Sequence, residues 1–119
     1  MSINDVWKDD QMLIPAIIQD FNTKSVLMLG YMNRDSYQKT IDINKVTFYS
    51  RSRQCLWTKG ETSGNFLNYI SSKIDCDNDT LLIQAINNGP TCHLEKYSCF
   101  GDEVFSFYKL ETIINKRKK

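Results

Sequence analysis

The sequence predicts an α+β fold, a compact and mostly antiparallel β domain with few helices. Three observations carry this expectation. Short β-rich segments follow one another with few helical segments between them, which favours α+β over a doubly wound sheet. The chain has 119 residues, the length of one ordinary domain. Its residues are 41% hydrophobic, with five Gly and two Pro, which excludes disordered, collagen-like and low-complexity classes and permits a real core. With no repeat, linker or break in composition, residues 1–119 read as a single domain with a basic tail at 116–119.

The strand signals, in order, are Leu13 to Ile18, Ser25 to Met32, Val46 to Arg51, Phe66 to Ile74 and Thr80 to Ile86. Each is short, rich in β-branched and aromatic residues, and bounded by polar clusters. A helix is expected after Asn33, which can cap it, while Asp35 suits its positive N-terminal end. A second helix is expected from Asp102 to Lys116, where Val104, Phe107, Tyr108, Leu110, Ile113 and Ile114 recur at roughly helical spacing before a basic end. Phe105 and Phe107 would also fit a strand there.

Fifteen basic and fourteen acidic residues make the formal net charge +1. Four of the positive charges lie in Lys116–Lys119, so the body carries eleven basic against fourteen acidic residues, a net −3. That balance argues against a nucleic-acid partner. The polar, acidic start and the short, interrupted apolar runs predict neither a secretion signal nor a membrane span. A cytoplasmic address is therefore expected, where thiols stay reduced. There the four Cys suit burial, metal ligation or chemistry better than disulfides.

Three clusters carry chemistry. In Asp75-Cys76-Asp77-Asn78-Asp79, an extended chain would send the three aspartates to one side, where they repel and demand a cation such as Mg²⁺ or Ca²⁺. A calcium loop is excluded, because Thr80 stands where Gly is required and Ile86 where a bidentate Glu is required. The bland alternative is a solvated acidic turn.

The second cluster is Gly89-Pro90-Thr91-Cys92-His93 with Ser98-Cys99-Phe100-Gly101. Cys76, Cys92 and Cys99 lack the short paired gaps of zinc fingers, yet three thiolates would leave a tetrahedral zinc one open position, as in catalytic sites. Cys55 could instead close the site as a fourth ligand. His93 is the single histidine, and its side chain suits proton transfer near neutral pH or a plain structural role.

In the third cluster, Phe48 to Asn65, Arg51, Arg53 and Lys59 interleave with hydroxyls, two glycines and aromatic rings. Guanidinium forks and exposed N–H groups of this kind bind phosphate, and Trp57 or Tyr49 could stack on a base or fill the core. An ordinary charged hairpin is the alternative.

Taken together, Ser50-Arg-Ser-Arg-Gln54, Leu56-Trp-Thr-Lys-Gly-Glu-Thr-Ser-Gly-Asn65, Asp75-Cys-Asp-Asn-Asp-Thr-Leu-Leu82, Gly89-Pro-Thr-Cys-His93 and Ser98-Cys-Phe100 closely resemble the phosphoribosyl-AMP cyclohydrolase family of histidine biosynthesis. The resemblance runs from about Leu27 to Gly101. It implies a cytoplasmic homodimer, zinc on Cys76, Cys92 and Cys99 with Cys76 supplied across the dimer interface, and Mg²⁺ on Asp75, Asp77 and Asp79. Cys55 is left a bystander. The stretch Tyr108 to Asn115 is similar to the end of the cyclohydrolase half in bifunctional enzymes that also carry a phosphoribosyl-ATP pyrophosphohydrolase, and no second domain is expected within the chain.

The activity so implied opens the adenine ring of 1-(5-phosphoribosyl)-AMP between nitrogen 1 and carbon 6. A zinc-activated water is a suitable nucleophile, as in the zinc nucleobase deaminases, whose His-x-Glu and Pro-Cys-x-x-Cys motif this chain lacks. His93 is the expected proton carrier. Arg51, Arg53, Lys59 and the Ser63-Gly64 turn are expected to hold one substrate phosphate, with Mg²⁺ engaging the other and Trp57 beside the base. Two rival readings are a zinc hydrolase or deaminase of another purine nucleotide, and a non-catalytic zinc module binding RNA or protein.

Overall fold

A computed structural model describes residues 3–105, the side chain of Asn4 excepted. After a 3-10 turn at Ile3–Val6 come β1 (Ile14–Asp20), β2 (Val26–Met32), α1 (Arg34–Ile43), β3 (Thr47–Ser50), β4 (Cys55–Thr58), β5 (Leu67–Ile74) and β6 (Leu81–Asn87). One sheet has the order β2-β1-β6-β5 and a second pairs β3 with β4. The expected α+β class and the mostly antiparallel pairing are both present. The exception is β1 against β6, which run parallel with Ala16 opposite Leu81 and Asp20 opposite Ala85.

Burial alternates along the central strands. In β1 every second residue from Ile14 to Asp20 is buried, and β6 buries Leu81, Ile83 and Ala85 in the same way. Period-2 burial puts one row of side chains into the core. Trp7 closes this core from the N-terminal side, donating its indole N–H to the Met32 carbonyl at 2.9 Å and packing against the Tyr37 ring.

The helix starts where expected. The Asn33 side chain accepts from the Ser36 amide at 2.8 Å and the Ser36 hydroxyl accepts from the Asn33 amide at 2.9 Å, a reciprocal cap of the kind that contributes about 1 kcal/mol. Asn44, at φ 59°, ends it in the left-handed conformation that short polar side chains tolerate.

Two expectations need correction. Cys55–Thr58 is a strand that pattern reading does not find, because four residues show too little alternation; its pairing with β3 makes it one. Residues 102–105, the start of the expected C-terminal helix, are irregular, and the rest of that segment, Tyr108 to Asn115 and the basic tail included, lies outside the described residues. No helix among the described residues is long and apolar enough to cross a membrane.

Candidate active site

Two loops face each other across a cavity of about 580 Å³. The first follows β4. Gly60 and Gly64 adopt φ of +92° and +84°, and the Gly64 amide donates to the Gly60 carbonyl at 2.7 Å, folding residues 59–65 into a tight turn. Such positive φ favours glycine. The second loop follows β6. Gly89 lies so close to the Asn65 side-chain amide that a Cβ there would collide with it, so with any other residue the Asn65 side chain, which joins the two rims, would have to shift.

Of the sequence-predicted site residues, Arg53, Trp57, Lys59, Ser63, Cys92 and His93 line this one cavity. Gly64 shapes the turn without forming the wall. Arg51 lies elsewhere: its guanidinium stacks over the Tyr31 ring, 4.7 Å from the centroid, in an adjoining shallower concavity. The two concavities share Ser50, Ser52 and Trp57. Arg51 and Arg53, both within the turn of the β3–β4 hairpin, therefore line different concavities instead of gripping a single group together. Sequence reasoning did not single out Glu61, Asn65 and Glu95, which also line the cavity. Glu61 accepts from the Thr58 amide at 3.3 Å, and its place within the Trp57–Asn65 motif was the available signal.

Cys92 and Cys99, seven residues apart in the second loop, are neighbours in the fold. Cys92 is 8% exposed, and its sulfur accepts from the Leu94 amide at 3.4 Å. Burial, and then the neighbouring Cys92, push the Cys99 thiol upward, while the Lys59 ammonium pulls it back. Thr91, between Pro90 and Cys92, lines the cavity with a buried hydroxyl that has no hydrogen-bond partner among the described residues. A pair of close thiols beside an unmet polar group and a cation suits a thiophilic metal, yet two sulfurs are fewer than the three or four protein ligands zinc takes.

The third thiol is not at hand. Cys76 is exposed in the β5–β6 turn, and the seven residues of β6, about 20 Å at the usual rise of a strand, run between that turn and the cavity. Among the described residues the one trio of potential ligands whose donor atoms converge is Asp75, Asp77 and Asp79, all within 4.8 Å of one another.

The trio does not form as the sequence pattern suggested. The segment is a turn, with Asn78 at φ 58°. Asp75 Oδ1 accepts from the amides of Asp79 at 2.9 Å and Thr80 at 3.1 Å, and it is turn closure, not strand alternation, that brings the carboxylates together. The Asp79 amide holds the Asp75 carboxyl below its ordinary value, and Asp75 in turn pushes Asp79 up. The upward push on Asp79 is what a hard cation would relieve, and oxygen donors suit Mg²⁺.

The fold and cavity thus define an α+β domain whose pocket joins the cations Arg53 and Lys59 and the ring of Trp57 to a thiol and a histidine. Residues 28–101 match the family profile of phosphoribosyl-AMP cyclohydrolase, and the chain belongs to that family. It is 56% identical over 109 residues to the histidine biosynthesis bifunctional protein HisIE of Bacteroides thetaiotaomicron, covering 88% of this chain and 54% of that protein. The protein of the same description from Escherichia coli strain K12 is 52% identical over 115 residues, covering 94% of this chain and 57% of the relative. That from Staphylococcus epidermidis is 54% identical over 101 residues, with 85% and 48% covered. The chain spans about half the length of the curated relatives it matches.

Proposed function

We propose that this chain hydrolyses 1-(5-phosphoribosyl)-AMP, opening the adenine ring between nitrogen 1 and carbon 6 in L-histidine biosynthesis. The observation that carries the reading is the family match at residues 28–101, which includes every residue brought together in the cavity. Water adds its oxygen to carbon 6, which becomes a carboxamide as the bond to nitrogen 1 breaks and that nitrogen takes a proton. His93, on the cavity wall beside Cys92, moves the proton. Arg53, Lys59 and Ser63 hold one phosphate by charge-assisted hydrogen bonds, and Trp57 lies where the base can stack. Arg51, in the adjoining concavity, binds the part of the substrate that extends past Trp57.

In this reading Cys92 and Cys99 ligate zinc, which when bound supplies the polarisation that makes water a nucleophile near neutral pH. The distance along β6 supports a third thiolate, Cys76, from a second copy of the chain. Asp75, Asp77 and Asp79 share the turn of Cys76, so the copy that completed the zinc site would also present this trio, which would hold Mg²⁺ to offset the charge of the second phosphate. The working form is then a cytoplasmic homodimer with two shared sites. The test is an ultraviolet assay of ring opening with zinc and magnesium quantified in the same sample. Turnover with about one zinc per chain is expected, and a zinc-loaded protein that leaves the ring intact would overturn the reading.

A further inference from the structure

The loop that carries Cys92 and Cys99 has no regular secondary structure, yet its bonds are specific. The Glu95 amide donates to the Cys92 carbonyl at 2.9 Å and the Cys92 amide to the Lys96 carbonyl at 2.9 Å, so residues 92–96 close on themselves. The Thr91 amide then reaches the Tyr97 carbonyl at 3.3 Å. Left there, the loop would be closed but unanchored.

Its anchor is a buried carboxylate at the far end of the sequence. Asp20 ends the inward row Ile14, Ala16, Ile18 of β1 and is 3% exposed. Oδ1 accepts from the Asn22 amide at 2.7 Å and the Thr23 amide at 3.3 Å, shaping the β1–β2 turn. Oδ2 accepts from the Tyr97 hydroxyl at 2.5 Å, and the Thr23 hydroxyl lies 2.5 Å from the same Tyr97 oxygen. Beside this bond the Ser98 hydroxyl donates to the Val26 carbonyl at 2.7 Å and the Cys99 amide to the Leu27 carbonyl at 2.8 Å. A charge buried at the end of a core row costs free energy unless its oxygens are occupied, so this carboxylate demands the Tyr97 hydroxyl as much as the loop needs an anchor.

We propose that Asp20 and Tyr97 are positioning residues that clamp the Cys92–Cys99 loop onto the β1–β2 hairpin and hold the two neighbouring sulfurs in place. This rests on the assignment of both thiols to zinc. Outer groups that orient ligands commonly change metal affinity by about 10–100-fold when removed. The experiment compares the wild-type chain with Tyr97→Phe, Asp20→Ala, Cys99→Ser and Tyr69→Phe, the last losing a hydroxyl bonded to Ser72 away from this loop. Zinc affinity is measured by chelator competition, and Cys92 labelling by a thiol reagent is timed in metal-free protein. Tyr97→Phe should bind zinc about 10–100-fold more weakly and label Cys92 several-fold faster, regain wild-type kcat at saturating zinc, and leave Tyr69→Phe as the unaffected control. Wild-type zinc affinity together with wild-type labelling in Tyr97→Phe would overturn the clamp. If the wild type binds no zinc, or Cys99→Ser binds it equally well, the zinc assignment is what fails, and the labelling rates alone decide the clamp. Should Asp20→Ala fail to fold, Tyr97→Phe carries the same test.

Discussion

The two candidate metal loops are built in opposite ways. The β5–β6 turn assembles Asp75, Asp77 and Asp79 from five consecutive residues, closed by its own backbone donors. The loop after β6 gathers only Cys92 and Cys99, and its bonds reach across the fold to Asp20, Val26 and Leu27. A hard cation can be served by a local, exposed cup that keeps much of its water. A thiophilic ion needs fixed, nearly dehydrated sulfurs in tetrahedral array, which short segments supply only when the rest of the fold, or another copy, holds them.

The sharpest way to break this contrast is complementation. Cys76→Ser and Cys92→Ser homodimers should each be inactive, and refolded mixtures should recover activity in heterodimers where one site keeps all three thiolates. Inactive mixtures with heterodimers verified by mass spectrometry would return the zinc site to a single chain. Cys99→Ser should lose zinc and turnover together, whereas Cys55→Ala, exposed at the start of β4, should keep both.

His93→Ala should lower kcat by on the order of a hundredfold or more while zinc content stays at the wild-type level, since the change removes a proton carrier and no ligand. Steady-state kinetics with metal analysis on one preparation check this, and lost zinc would place His93 among the ligands.

A smaller effect is expected at the local cup. Asp77→Asn keeps shape and removes a charge, so the magnesium needed for half-maximal activity should rise with zinc content unchanged. An unaltered magnesium titration would reduce the trio to a solvated turn.

The smallest effect concerns pH. Burial raises the Asp20 carboxyl, but the Tyr97 hydroxyl and the amides of Asn22 and Thr23 outweigh it, leaving it below its ordinary value of 3.8. A depressed folded-state value contributes stability that is present above 3.8 and lost as pH falls through the lower folded value. Asp20→Asn should therefore be less stable than wild type at neutral pH, with the gap narrowing in acid melts below about pH 4. A gap independent of pH would mean that shape, not charge, holds the clamp.

How much of this was legible differs residue by residue. The five expected strands agree with β1, β2, β3, β5 and β6 to within one or two residues at most ends, since each is a short β-rich run bounded by polar residues; period-2 burial appears in β1 and β6 alone. Asn33 was legible as a cap because the cap bonds lie within four residues. The pocket residues Arg53, Trp57, Lys59 and Ser63 were legible as one motif because a single hairpin and its following turn carry them. Arg51 was misleading for the same reason, since nearness in sequence concealed the change of side at the hairpin turn. Asp20 gave no signal as a site residue, being separated from Tyr97 by 77 positions.

By itself, then, the sequence determined what is local: the strands, the capped helix, the carboxylate turn, and the residue types that identify the family. Only the tertiary structure decided that β1 and β6 run parallel, that the Gly89 backbone meets Asn65 to join the cavity rims, and that Asp20 holds the thiol loop. Patterns of period two or 3.6 encode which face of an element is buried, because neighbouring residues share one backbone geometry. They carry no record of which distant element covers that face; packing of the whole chain selects it, and here it also selects where two of the sulfurs stand.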